Sequence, residues 1–330
     1  TWNGLHHLRT CLPAVLEQCV PGDFELLVVD NASQDGTLEY LEALVERDKR
    51  VRVLRNARNE GFAAPNNRAF GAARGEFVVT LNNDAPPEPG WLASLVEAAS
   101  THPHAGSVAS KMVFAHAPHL IQSAGISIDR AAIAWDRLAG HPVTAGESTV
   151  TEIFGASAGA ALYRRHMLQE LGGFDSQFFM YLEDVDLAWR AQLAGWHAVY
   201  APDAVVRHAH SASAGEGSPF KNWHLGRNKI WTVAKCYPPA GLRRYLAAVV
   251  AYDLASLPYT MVTKRDLNPL RGRLAALRHL RPILHDRSAL HRRFPQGWER
   301  SRRWMEPLKP PLEVFRRYRH LRHVLTTGRA

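Results

Sequence analysis

Carboxylates end two apolar runs of the sequence. The run "FELLVVD" ends at Asp30, and "EFVVTLNND" ends at Asp84. A carboxylate on the rigid end of a strand can bind a hard divalent cation or a ribose hydroxyl. The "NND" triplet, closely followed by two prolines, also has the composition of a simple Asx-rich turn. A metal site at Asp84 therefore needs support from other parts of the chain.

Three further acids stand together in "FFMYLEDVDLAWR", at Glu183, Asp184 and Asp186. If a helix begins at Glu183, Asp186 and Arg190 lie four residues apart and can form an ion pair. Acidic side chains in a first turn also stabilise the helix dipole without any chemical role. The aromatic residues directly before the acids favour a buried site. We interpret one acid as pointing into that site and another as structural.

The segments around these acids alternate between strand-like and helix-like patterns. The runs "FELLVVD", "VRVLRN" and "EFVVTLNND" are typical of buried strands, and "LEYLEALVER" and "NNRAFGAARG" are typical of helices. This alternation predicts an α/β fold with a mostly parallel sheet covered by helices, which binds ligands at the carboxyl ends of its strands. Both Asp30 and Asp84 would lie at that edge.

The chain starts at "TWNG" without a strand before it, although a parallel sheet is expected to have one there. We therefore expect that a first strand is missing at the N-terminus. No G-x-G-x-x-G turn follows, which disfavours a dinucleotide-binding oxidoreductase.

Composition and charge divide the 330 residues into two regions. Residues 241–330 carry 20 Lys and Arg against 6 Asp and Glu, although the whole chain has a net charge of only +9. We expect a main domain at 1–240 and a basic, helical C-terminal region at 241–330. In "LEVFRRYRHLRHVL" the arginines alternate with apolar residues, which favours an amphipathic helix on an anionic membrane over nucleic-acid binding. The alternative is a solvated helical face packed on the main domain.

Cysteine content and hydropathy bear on the compartment. Cys11, Cys19 and Cys236 are few and lack metal-ligand spacing, which indicates a reducing, intracellular setting. The most apolar long stretch, 245–262, contains Asp253 and Pro258, so we predict that it does not span a membrane.

Six motifs in order resemble the family 2 glycosyltransferases, and most closely the bacterial branch of rhamnosyltransferases. They are "TWNG", "LLVVDNASQDGT", "NEGFAAPNNRAFGAARGEFVVTLNND", "FGASAGAALYRR", "GGFDSQFFMYLEDVDLAWRAQLAGW" and "APDAVVRHAHSAS". The resemblance covers about residues 1–235. It implies a GT-A fold, a nucleotide-diphosphate sugar as donor, and a divalent cation, Mn²⁺ or Mg²⁺, as cofactor.

The resemblance also implies the residues that contact the donor. Those expected around the nucleotide and its diphosphate are Thr1, Trp2, Asn3, Asp30, Asn59, Gly61, Phe62, Asn67 and Asn83. The "HLGRNK" segment adds Arg227 and Asn228 as candidate contacts to the diphosphate.

For the metal, the resemblance places Asp84 as the last acid of a D-x-D motif. Asn82 replaces the first acid, so a further ligand is needed, and the motif context indicates His208. An imidazole suits Mn²⁺ better than Mg²⁺. His210, two residues later, has less support.

For catalysis, the resemblance makes Asp184 the general base. We assign Glu183 to orienting the acceptor or the base, and Asp186 to a helix-surface ion pair with Arg190.

Together these features predict an inverting transfer of a sugar, possibly rhamnose from a dTDP donor, to a hydroxyl of a glycan or polyprenyl-linked acceptor. Such a reaction belongs to cell-surface polysaccharide synthesis and is expected in the cytoplasm, at the inner face of a bacterial membrane. Two alternatives stay open: a sugar nucleotidyltransferase, and a non-catalytic protein that binds a nucleotide sugar or a lipid.

Overall fold

The computed structural model describes residues 1–209, 217–263 and 265–327, and His210 lies outside these ranges. The helices are α1 Leu5–Leu16, α2 Thr37–Arg47, α3 Ala63–Ala72, α4 Trp91–Thr101, α5 Arg165–Leu171, α6 Glu183–Ala194, α7 Pro219–Cys236, α8 Pro239–Thr263, α9 Asn268–Arg278, α10 Leu280–Arg293, α11 Gly297–Arg302 and α12 Pro311–Thr327. The strands are β1 Leu26–Asp30, β2 Val51–Arg55, β3 Phe77–Leu81, β4 Ala105–Phe114, β5 Ala117–Ser123, β6 Ile126–Asp129, β7 Ala134–Asp136, β8 Thr151–Ile153, β9 Ala160–Arg164, β10 His197–His208 and β11 Met305–Glu306.

The central sheet has the strand order β3-β9-β4-β10-β8, with β5 added to β4. Strands β4 and β10 are parallel, and β1 and β2 form a separate parallel pair. Strand β9 is antiparallel to both β3 and β4, and β8 is antiparallel to β10. The α/β class is therefore confirmed, but the sheet is mixed where a mostly parallel one was expected, because β9 enters between β3 and β4 in the opposite direction.

Helices cover both faces of this sheet, as the side-chain alternation along its strands requires. Val108, Leu162 and Val199 pack on one face with Trp91 and Leu95 of α4. Their chain neighbours Ala109, Tyr163 and Tyr200 pack on the other face, against residues of α5 and α6 such as Leu168 and Leu187. Each fully buried Leu or Val side chain contributes about 1.5–3 kcal/mol to folding. This two-sided core fixes the ends of the strands that carry the site.

At the N-terminus, β1 and β3 belong to separate sheets that no described backbone hydrogen bond joins, and residues of both strands line one open gap. The nitrogen of Thr1 donates to the oxygen of Val29 at 2.7 Å, and the oxygen of Thr1 accepts from the nitrogen of Asn31 at 2.9 Å. This is the bond pattern of one residue paired in parallel with Asp30. Thr1 therefore lies where a strand between β1 and β3 would end.

The C-terminal region is helical, and α7 connects it to the sheet. Trp231 of α7 is buried with Ala276 of α9 and Ile283 of α10, and its indole nitrogen donates to the oxygen of Ala276 at 3.1 Å. Helix α7 thus packs on helices that come after residue 240. Within the described ranges, no helix combines the length and the apolar composition that a bilayer crossing requires.

Candidate active site

A cleft of about 1060 Å³ opens at the carboxyl ends of β1 and β3 and continues into the gap between them. Its lining brings together segments that are far apart in sequence. They include Asn82–Asp84 after β3, Ser157–Gly159 before β9, Met180–Val185 at the start of α6, and His208 at the end of β10. Asp84, Asp184 and Glu183 therefore line one cleft, although they come from two motifs about 100 residues apart.

Asp84 and His208 form a buried pair in this cleft. The Nε2 atom of His208 lies 3.1 Å from Oδ1 of Asp84, and its Nδ1 atom lies 2.8 Å from Oε1 of Gln122. Burial opposes ionisation of Asp84, but the hydrogen bond and charge of His208 outweigh it and lower the pKa of the carboxyl. Asp84 is thus an ionised oxygen donor beside an imidazole nitrogen.

This donor set fits a divalent cation only in part. Carboxylate oxygen and imidazole nitrogen suit Mn²⁺, and two protein ligands leave positions for phosphate oxygens. In the described part of the chain, no third His, Cys, Asp or Glu completes a metal site made by protein alone. The residues present therefore fit a cation that is shared with a diphosphate.

Asp184 lies in the first turn of α6, and two backbone amides donate to its carboxylate. Its Oδ2 accepts from the nitrogen of Ala158 at 3.2 Å, and its Oδ1 accepts from the nitrogen of Val185 at 2.8 Å. Burial outweighs these bonds and raises the pKa of Asp184 to about 6. A carboxylate with a pKa near the working pH is suited to general base catalysis.

Glu183 has a different environment from its neighbour. The residue is buried, and among the described residues its Oε2 atom has no hydrogen-bond partner. Burial, and then the charge of Asp184, raise the pKa of Glu183 well above its ordinary value. Burial therefore favours the protonated form of Glu183, and this form can donate a hydrogen bond to a group in the cleft.

The sequence interpretation placed Asp186 on a helix surface, and the structure corrects this. It is fully buried, and its carboxylate lies 2.7 Å from Nε of Arg190 and 3.0 Å from Nζ of Lys235. Lys235 also pairs with Asp175 at 2.7 Å. The predicted pair with Arg190 is confirmed, but its exposure is corrected, because α7 covers this side of α6.

Most residues expected around the donor lie in the cleft. The lining contains Thr1, Trp2, Asn59, Gly61, Phe62 and Asn83. Asp30 and Asn3 do not line it. Asp30 is buried, with its Oδ1 atom lacking a described hydrogen-bond partner, and Asn3 accepts from the nitrogen of Gln34 at 2.7 Å. The unpartnered oxygen of Asp30 leaves an acceptor free near the predicted nucleotide site.

Two predicted donor contacts lie elsewhere. Asn67 binds the backbone of Phe174, with its amide nitrogen 2.7 Å from that residue's oxygen, and does not line the cleft. Arg227 donates to the oxygens of Gln177 and Phe178 and lies over the rings of two tryptophans. Burial lowers the pKa of Arg227 to about 10. Both side chains are occupied in holding backbone, so this geometry does not bring them to a diphosphate.

The structure adds two residues that sequence reasoning missed. Gln122 orients His208, and Asp136 lines the cleft, where its negative charge contributes to the raised pKa of Asp184. Neither follows a motif: Gln122 is near the end of β5 and Asp136 is in the short strand β7, and the sequence alone does not predict that these strands lie near the site.

Sequence comparison identifies the family. The profile described as "Glycosyl transferase family 2" matches residues 1–172. A Sinorhizobium fredii protein, y4gI, is 34% identical over 239 residues, which are 69% of this chain and 26% of that protein. An N-acetylglucosaminyl-diphospho-decaprenol L-rhamnosyltransferase of Mycobacterium tuberculosis is 32% identical over 235 residues, 63% of this chain and 74% of the relative. The chain thus spans about a quarter of the first relative and three quarters of the second.

Structural comparison supports the fold. TarS of S. aureus in complex with UDP-GlcNAc matches this structure with a TM-score of 0.58 at 20% sequence identity. The match covers 92% of this chain and 90% of the TarS chain. The mannosyltransferase PcManGT of Pyrobaculum calidifontis, in complex with GDP-Man and Mn²⁺, has a TM-score of 0.53 at 20% identity, covering 92% and 82%. Since the family profile matches half of the chain and the fold agrees, this protein belongs to glycosyltransferase family 2 and has the GT-A fold.

Proposed function

We propose that this protein is an inverting, cation-dependent glycosyltransferase that moves rhamnose from a nucleotide-diphosphate donor to a hydroxyl of a polyprenyl-linked glycan. The observation that supports it best is the single cleft that is lined by both the Asp84–His208 pair and Asp184. The Asp84–His208 pair suits a leaving diphosphate, and Asp184 suits a hydroxyl that must lose a proton.

The reaction follows from these two groups. The carboxylate of Asp184 accepts the proton of the acceptor hydroxyl while its oxygen attacks the anomeric carbon of the donor. The bond from that carbon to the diphosphate breaks, and its electron pair leaves with the nucleoside diphosphate. One displacement in line inverts the anomeric centre. Glu183, whose protonated form burial favours, donates a hydrogen bond and orients the acceptor or the base.

A bound cation would be held by Asp84 and His208. It would supply positive charge at the diphosphate oxygens and so stabilise the leaving group. Gln122 keeps the imidazole oriented, because its side-chain oxygen lies 2.8 Å from Nδ1 of His208.

The choice of sugar and acceptor rests on the mycobacterial relative. Its name specifies L-rhamnose as the sugar and N-acetylglucosaminyl-diphospho-decaprenol as the acceptor, and the similarity includes 63% of this chain. We propose the same classes here, with dTDP-L-rhamnose as the donor.

A donor panel tests this proposal. The chain is heated with each of several nucleotide sugars, with and without Mn²⁺, and transfer to a polyprenyl-diphosphate GlcNAc is then measured for those that bind. A ligand at 100 times its Kd stabilises a protein by about 2.7 kcal/mol, so a true donor gives a clear shift in Tm. Stabilisation by dTDP-L-rhamnose with Mn²⁺ is expected. If only a different nucleotide sugar shifts the Tm, the proposal that rhamnose is the transferred sugar is refuted.

We further propose that the helical region 241–330 docks on an anionic membrane at the cytoplasmic face. Leu246, Val250 and Leu254 recur every four residues on α8 and are about half exposed, at 50%, 46% and 56%. The surrounding region holds 20 basic against 6 acidic residues. An apolar stripe in a basic region is suited to the interface of an anionic bilayer.

Vesicle sedimentation tests the membrane proposal. Binding to phosphatidylglycerol vesicles should weaken as salt rises, with each basic residue near the surface contributing about 1 kcal/mol. Replacement of the three stripe residues by Ser should weaken it further. Equal sedimentation with neutral and anionic vesicles would contradict the proposal.

We propose, finally, that residues 1–240 form the catalytic unit and that its sheet accepts one more parallel strand between β1 and β3. The bonds of Thr1 to Val29 and Asn31 define the register of such a strand. The cleft that continues into this gap is lined there by apolar residues of both strands, among them Leu27 and Val79.

A further inference from the structure

The turn that leads into the catalytic acids has an unfavourable backbone. Phe179, Tyr181 and Leu182 have φ angles of 64°, 70° and 64°, in the left-handed region that side chains disfavour. At Phe179 ψ is −64°, and the nitrogen of Met180 donates to the oxygen of Phe178 at 2.7 Å. These values describe the rare form of the γ-turn. A turn of this kind persists only if its surroundings hold it.

The side chain of Asn228 supplies that support from α7. Its amide nitrogen lies 3.1 Å from the oxygen of Phe178, 2.9 Å from that of Met180 and 2.7 Å from that of Tyr181. Asn228 is fully buried, and its own oxygen accepts from Nε of Arg227 at 2.8 Å. The two N–H groups of one buried amide thus lie within hydrogen-bond distance of three carbonyl oxygens of the turn, so at least one N–H is shared between two of them.

The opposite side of the turn is held by the segment 61–63, which borders the cleft. The oxygen of Phe179 accepts from the nitrogens of Phe62 and Ala63, at 2.7 and 3.2 Å. A Cβ atom at Gly61 would lie 2.4 Å from that same oxygen, so this approach requires glycine. The turn is therefore fixed between α7 and the segment that borders the cleft.

The position of the turn decides the position of the base. Leu182 is the N-cap of α6, and Glu183 and Asp184 follow it directly. A small rotation at residues 179–182 would carry the Asp184 carboxylate away from the nitrogen of Ala158, to which it is bonded at 3.2 Å.

We propose that Asn228 is a positioning residue for sugar transfer, which clamps the 178–182 turn through three carbonyls and thereby sets Asp184 against the acceptor hydroxyl. This inference rests on the proposed function. It assigns α7 a role in the reaction although Asn228 does not line the cleft.

A hydrogen-bonding role and a packing role for Asn228 predict different orders of damage for the substitutions Asn228→Asp and Asn228→Ala. Asn228→Asp keeps the shape of the side chain but directs a carboxylate at three carbonyl oxygens, whereas Asn228→Ala only removes the donor. If Asn228 acts as a clamp, Asp is at least as damaging as Ala. If it only fills space, Asp is close to the wild type and Ala is not.

The matched control is Asn222→Ala, two turns earlier on the same helix. The amide of Asn222 donates to the oxygen of Gly217 at 3.2 Å and to Asp266 at 2.6 Å, away from the turn. Asn222→Ala should leave transfer unchanged.

The experiment has two readouts. Hydrogen exchange of the peptide 178–186 reports the turn without substrate, and single-turnover transfer from dTDP-L-rhamnose, normalised to titrated donor sites, reports the base. For both Asn228 variants we expect exchange to rise at least about tenfold. Transfer should fall about tenfold to a hundredfold, while the donor Kd changes by less than about threefold, since small misplacements of a reacting group have effects of this size.

Each outcome decides the question. Unchanged exchange, or near-normal transfer by Asn228→Asp, overturns the clamp. If the wild type transfers no sugar, the proposed function fails and exchange still decides whether the clamp exists. If neither Asn228 variant folds, Arg227→Met removes one donor to the oxygen of Phe178 and must give the same pattern at smaller size; the absence of any change would overturn the proposal.

Discussion

Asp184→Asn should abolish transfer and at the same time stabilise the protein. The amide keeps the size of the side chain but cannot accept the proton of the acceptor hydroxyl. A general base contributes about a hundred- to ten-thousand-fold in rate, or about 3–5 kcal/mol of barrier. Donor affinity should be unchanged, because in the proposed mechanism Asp84 and His208, and not Asp184, bind the diphosphate.

The stability effect follows from the pKa of Asp184, which burial raises from 3.8 to about 6. In the folded state the ionised carboxylate is disfavoured, so the wild type loses stability as pH rises from about 4 through 6. Two pKa units correspond to about 3 kcal/mol. One of the two amide donors, from Ala158 or Val185, would face the new NH₂ group, which costs about 1 kcal/mol.

We therefore expect Asp184→Asn to raise the free energy of unfolding by about 2 kcal/mol at pH 8 and to lose this advantage near pH 4. Urea unfolding at both pH values and single-turnover transfer measure the two effects. The control is Asp203→Asn, because Asp203 is an exposed acid on β10. It should change the free energy of unfolding by no more than about 0.5 kcal/mol and leave the transfer rate near that of the wild type. Near-normal transfer by Asp184→Asn would refute the assignment of the base.

Three further substitutions or additions test other parts of the structure. Asp84→Asn should remove Mn²⁺-dependent donor binding while leaving the fold intact. Calorimetry that shows wild-type donor affinity and metal dependence for this variant would refute the proposed role of Asp84 as a metal ligand. Asp186→Asn should destabilise the protein by about 3–5 kcal/mol in urea unfolding, because it leaves Arg190 and Lys235 buried without their shared carboxylate; a loss below 1 kcal/mol would contradict the described burial. A hexapeptide of Val and Ile placed before Thr1 should raise Tm by several degrees by filling the gap between β1 and β3, whereas an equally long Gly-Ser peptide should not. Equal Tm values for the two extensions would refute the strand site.

Motif order predicted the class of fold and the residues that meet in the cleft. Asp84 and His208 are 124 positions apart, yet the family resemblance placed them at the same diphosphate, and their side chains are 3.1 Å apart. The end of β1 at Asp30 followed from a hydrophobic run alone, whereas β3 ends at Leu81, three residues before Asp84. These parts of the structure depend on local patterns that a single sequence displays.

The parts that could not be predicted depend on contacts between distant segments. The i, i+4 spacing revealed the pair of Asp186 and Arg190, but its burial is set by Lys235, 49 residues later. Arg227 has the charge expected of a phosphate ligand, but Trp223 and Trp231, one turn away on either side, hold its guanidinium within 4.8 and 4.4 Å of their rings. The direction of a side chain is decided by such neighbours, and spacing alone does not reveal it.

The most direct test of sugar transfer in this cleft is NMR of the anomeric proton during a reaction. The chain is incubated with dTDP-L-rhamnose, Mn²⁺ and a short polyprenyl-diphosphate GlcNAc. We predict that the rhamnose signal moves to a glycoside of the opposite anomeric configuration, at a rate matching the release of dTDP. A product that keeps the donor's configuration, or release of dTDP without any glycoside, would contradict the inverting mechanism with Asp184 as base.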